Sequence, residues 1–69
     1  MRIYSLPYRL KQDKIGLTPR EVDQIEPRYA RVVATTAQRA ISAVTNDLKA
    51  QGVISSKADI EIIEAKLVP

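Results

Sequence analysis

The chain is predicted to be a small α+β domain, a β–α–β layer in which one long helix lies on a sheet. Three features of its 69 residues predict this. The opening stretch favours extended backbone, an apolar stripe at helical spacing runs through the second half, and a further β-rich stretch closes the chain.

Arg2–Leu10 (RIYSLPYRL) reads as a strand, because Ile3, Tyr4, Leu6 and Tyr8 suit a pleated surface. Pro7 has no amide to give to a ladder, so it should confine this strand to a sheet edge or end it early. Residues 11–16 read as a polar loop closed by Gly16. Thr18-Pro19-Arg20-Glu21 has the make-up of a helix start. The Thr18 hydroxyl can accept from a first-turn amide, Pro19 suits the first helical position, and Glu21 can reach back to the Thr18 amide. A short helix over 19–25 follows, broken at Pro27. Arg28–Ala34 (RYARVVA) is open between two readings. Val32 and Val33 favour a strand, yet the segment runs smoothly into the helix after it.

The long helix is expected from Thr35 or Thr36 to Gln51. Ala37, Ala40, Ile41, Val44 and Leu48 recur at steps of three and four and form one apolar stripe, which reads as core. Gly52 stands where a left-handed C-cap belongs, with Val53 behind it to pack back. A turn over 55–59 leads to a strand over 60–67 (IEIIEAKL), with Ile60 and Ile62 on one face. No internal repeat or low-complexity tract interrupts the single domain.

With 45% hydrophobic residues but only three aromatics, Tyr4, Tyr8 and Tyr29, the chain can build one thin core. The tyrosines read as packing residues. Domains this small usually need a disulfide, a metal or a partner surface. Cys and His are both absent, which removes the disulfide and the usual zinc ligands. A partner is the remaining source of stability, and a second copy of the chain would serve as well as another protein. No apolar run reaches the roughly 20 residues that span a bilayer, and the opening residues do not read as a secretory signal. The expected location is intracellular, in the cytoplasm or within a soluble particle.

An enzyme is not expected. With no His, the serines and threonines lack an imidazole base. Ser55-Ser56-Lys57 falls in a turn, a poor frame for a Ser–Lys pair. Glu61 with Glu64, and Asp23 with Glu26, read as solvated acids. Gly16 and Gly52 lie too far apart for a phosphate-cradling loop. No catalytic, cofactor or metal residues are assigned.

The charge pattern points outward. Residues 1–39 hold eight Lys and Arg against four acids, while residues 40–69 hold three against four. A basic front half suits an acidic partner. Arg9, Arg20, Arg28 and Arg31 are therefore the expected partner contacts, with the strand at Arg2–Leu10 offering an edge for strand addition. The function expected is that of a structural or adaptor subunit, linker-like, binding a protein within a larger assembly. The beginning MRIY, the TPRE box and the strand–helix order resemble small linker polypeptides of the phycobilisome. The glycine-rich turn and basic strand that mark those linkers are missing.

The alternative is DNA. Opposite the apolar stripe stand Gln38, Arg39, Ser42, Thr45, Asn46 and Lys49, a short-chained face with few charges. An ordinary solvated helix face carries paired Lys and Glu instead. From Thr36 onward the chain resembles the second half of a winged-helix domain: a recognition helix, a Gly-flanked apolar pair, a turn and a wing strand. That resemblance implies that this face meets a major groove, where Gln or Asn pairs with adenine and Arg with guanine. Pro27 and the valines stand where the preceding helix of that family belongs. A strand at Arg28–Ala34 fits the β–α–β layer, and a helix there fits the winged helix.

Overall fold

In the computed structural model, which describes residues 1–69, the opening segment is the central strand of a four-stranded antiparallel sheet. Strand β1 (Arg2–Leu10) pairs on one side with β2 (Arg28–Ala34) and on the other with the short β3 (Ile60–Ile62) and β4 (Lys66–Leu67). The ambiguous segment is thus a strand, with Tyr4 opposite Val32 and Leu6 opposite Ala30.

This corrects the expectation drawn from Pro7, which neither ends β1 nor places it at an edge. The Pro7 carbonyl accepts the Ile63 amide at 2.9 Å, so its ring nitrogen faces the same neighbour. On that side Tyr8 opposes Ile62, whereas Ser5 opposes Lys66, so one extra residue lies between β3 and β4. The ladder is interrupted where β1 has no donor to offer, which is how a proline is accommodated inside a sheet. The single strand expected over 60–67 is split at that point.

The helices follow their caps. In α1 (Pro19–Gln24) the Thr18 hydroxyl accepts from the Glu21 amide at 3.2 Å, and the Glu21 carboxylate accepts from the Thr18 amide at 3.1 Å. Helix α2 (Ala37–Ala50) starts with Thr36 accepting from the Arg39 amide at 3.2 Å. It ends in a Schellman turn: Gly52 adopts φ +77°, and the amides of Gly52 and Val53 reach the carbonyls of Lys49 and Leu48. Ile54, not Val53, is the residue that packs inward after this turn. The 11–16 loop contains a 3-10 turn at Lys11–Lys14.

Alternation along β1 sends Tyr4, Leu6 and Leu10 to the α2 side, where they are buried. Tyr4, Leu6, Ala34, Ala40 and Val44 form the core, flanked by Ala37, Ile41 and Leu48 of the expected stripe. On the opposite face α1 sits beside the Arg9 end, where the Arg9 guanidinium donates to the Ile25 carbonyl at 3.1 Å. On the rest of that face Pro7 is buried, while Ile3, Tyr29, Val33 and Ile63 remain exposed. The result is a slab of 39 × 26 × 14 Å. Its accessible surface, 4948 Å², exceeds the roughly 4,300 Å² expected of a compact monomer of this mass. No helix is long and apolar enough to cross a membrane.

Candidate protein-binding edge and groove

Because β1 occupies the middle, the longest free edge of the sheet belongs to β2. Odd-numbered residues of β1 turn their backbone groups toward β3 and β4, since the carbonyls of Ile3 and Pro7 accept from Val68 and Ile63. Even-numbered residues therefore serve the ladder with β2, where Tyr4 meets Val32 and Leu6 meets Ala30. The amides and carbonyls of Tyr29, Arg31 and Val33 consequently point away from the sheet. Free edges of this length normally carry Lys, Pro, an inward charge or a bulge that discourages pairing. RYARVVA has no Pro, Gly or acid, and its only charges are Arg28 and Arg31.

Beside this edge the α2 layer is incomplete. The helix packs on both β1 and β2 and leaves a groove of about 610 Å³ against β2. Ala30 and Val32 line it from the sheet and Ala43, Val44 and Leu48 from the helix, with Arg31, Asp47 and Gln51 as its polar lining. The gap on the β3 side measures only about 160 Å³. On the other face of the sheet, Ile3, Tyr29, Val33 and Ile63 are 46%, 60%, 58% and 43% exposed. Between the Ile3–Val33 and Pro7–Tyr29 pairs lies a polar row in which Ser5 is flanked by Arg31 and Lys66.

The four arginines expected at a partner do not form one patch. Arg28 is engaged within the chain, its Nε and a terminal nitrogen both 3.0 Å from the Asp13 carboxylate. That guanidinium holds Asp13 below its ordinary pKa despite the opposing effect of burial, and the Leu10 amide adds to the depression. The Arg28 pKa is raised in turn by the same hydrogen bond. Arg9 is half-buried, with its Nε enclosed and unpartnered. Arg20 is exposed on α1. Arg31 is exposed on the face of β2 away from α2 and enters none of the ion pairs. Arg28 and Arg31 both lie on the edge strand β2, and of the two only Arg31 is free of an ion pair.

Of the residues expected to read DNA, Gln38, Arg39, Ser42, Asn46 and Lys49 are exposed along α2. Thr45 is buried, its hydroxyl donating to the Ile41 carbonyl at 2.9 Å. This back-bond lets a threonine join the apolar side of the helix. Several of the acids and serines considered for catalysis have local duties. Ser55 donates its hydroxyl to Asp59 at 2.8 Å, and the Ser55 amide is the main cause of a lowered Asp59 pKa. Glu61 meets Lys14 at 2.8 Å, which lowers its pKa. Glu64 lies 3.5 Å from Lys66. No group of three or more acids gathers into a metal centre.

Sequence reasoning missed the edge and the groove. The composition of Arg28–Ala34 carried a signal, since a valine-rich segment without Pro or acid suits strand pairing. Comparison with protein-family models, characterised proteins and solved structures gives no match, so neither the winged-helix nor the linker resemblance gains support from a relative.

Proposed function

We propose that this chain is a non-enzymatic structural or adaptor module that binds a protein partner within a larger assembly. The observation that carries this reading is the pairing of a free seven-residue edge strand, β2, with an open groove alongside it whose lining is mostly hydrophobic. Backbone edges and apolar grooves are what proteins offer to other proteins, since together they supply directional hydrogen bonds and burial. The thin slab and its surplus surface support the same reading, because a partly exposed apolar sheet face is a cost to a free monomer that a partner removes. A strand at Arg28–Ala34 also fits the β–α–β layer on which the protein-partner reading was built.

The test is recovery of the full chain from its native cells, followed by sizing of the recovered particle. A stoichiometric second protein in a particle well above 7.7 kDa is expected. A monomer that retains nothing would overturn the reading. Titration with duplex DNA at two salt concentrations separates the alternative, which requires binding with a steep salt slope through Arg39 and its neighbours on α2.

A further inference from the structure

We infer that the occupant of the β2 edge is an extended segment of the partner that alternates apolar and acidic side chains and adds to the sheet as a further strand. This rests on the protein-binding reading and specifies the ligand of that site. The outward backbone groups of Tyr29, Arg31 and Val33 set the first requirement: only an extended chain can satisfy donors and acceptors at every second residue. An added strand sends alternate side chains to opposite faces. Those on the α2 side enter the groove of about 610 Å³ beside Ala30, Val32, Ala43 and Leu48, so they are apolar and larger than alanine. Those on the other side lie against Tyr29, Arg31 and Val33. Arg31 has no anion of its own there, and Lys66 stands two strands away in the same polar row. A carboxylate opposite Arg31 completes that row.

A second copy of the chain fits less well. The two-fold pairing of β2 that uses all three outward positions sets Arg31 against its own counterpart, a like-charge pair directly across the ladder. It also brings to each groove only Ala30 and Val32, small side chains that already pack on their own core.

The experiment uses the full chain and two nine-residue probe peptides, one alternating valine with glutamate and one alternating valine with lysine, followed by amide NMR. The valine–glutamate peptide is expected to shift the amides of Tyr29, Arg31 and Val33 and the methyls of Ala43 and Leu48. The lysine peptide is expected to bind at least about tenfold more weakly, and Arg31→Glu should reverse that preference. Val33→Pro, which removes an outward donor and no ladder bond, should weaken the glutamate peptide at least about tenfold while the β1 and β2 amides keep their dispersion. Equal binding of the two peptides, no shifts at the edge, or indifference to Val33→Pro would each overturn the inference. Self-association abolished by Val33→Pro would also overturn it, by giving the edge to a second copy. A recovered native partner whose retention ignores Val33→Pro would overturn this inference and leave the protein-binding reading standing.

Discussion

Two neighbouring valines in β2 should respond oppositely to proline, and the difference tests which backbone groups face outward. Val32 lies opposite Tyr4 with its amide directed into the ladder, whereas the Val33 amide points away from the sheet. Val32→Pro removes one ladder bond, a net loss of about 1 kcal/mol, and strands the Tyr4 carbonyl at a further 1–3 kcal/mol, roughly 2–4 in total. A 69-residue domain has only about 3.5–10 kcal/mol of stability, so this variant should lose at least about a fifth of it. Val33→Pro loses no bond, and adjusting the backbone toward the proline φ should cost about 1 kcal/mol or less. In urea titrations followed by circular dichroism, with a slope near 1 kcal/mol/M, the midpoint should fall by about 2–4 M for Val32→Pro and by about 1 M or less for Val33→Pro. Equal midpoints, or the reverse order, would refute the assigned facing of β2 and the free edge with it.

Leu6 is fully buried at the centre of the core, and Leu6→Ala should cost about 3 kcal/mol in a urea titration; a loss below about 1 kcal/mol would mean the layer closes over the cavity. Thr36→Ala removes the hydroxyl that caps α2 and should cost about 1 kcal/mol. Ala at position 52 meets nothing within 4 Å but inherits φ +77°, so Gly52→Ala should cost about 1 kcal/mol through the backbone alone. Thermal melts of the two variants would check both values. Asp13, Asp59 and Glu61 all have folded pKa values below their ordinary 3.8, 3.8 and 4.5. Their contributions are therefore fully present above about pH 5 and lost as pH falls through the depressed folded values. Urea midpoints should be level between pH 7 and 5.5 and drop below about pH 4.5; a midpoint that rose on acidification would contradict these pairings.

The winged-helix and protein-partner readings diverged at Arg28–Ala34, and the reason is physical. Seven residues containing two valines and no cap can lie in a strand or extend a helix, and only a partner strand decides between them. β1 supplies that partner across seven paired positions. Pro7 misled because its cost depends on which neighbour its nitrogen faces. Here that neighbour is the broken β3–β4 connection, whose break is created by a bulge more than fifty residues away in the chain.

The sequence by itself determined the features whose physics is local. The Thr18 and Thr36 caps, the left-handed turn at Gly52 and the apolar stripe of α2 depend on residues within a few positions of one another, so spacing alone reveals them. Thr45 shows the limit of spacing: its side chain is polar, yet a bond to the Ile41 carbonyl lets it lie inside. Tertiary structure decided the order of the strands, and with it which strand is free, which arginines lie at the edge and where the groove opens. Strand order is set by long-range pairing and by how one helix can cover four strands. With α2 packed on β1 and β2, a groove remains between its second half and β2 because a single helix is too narrow to close four strands.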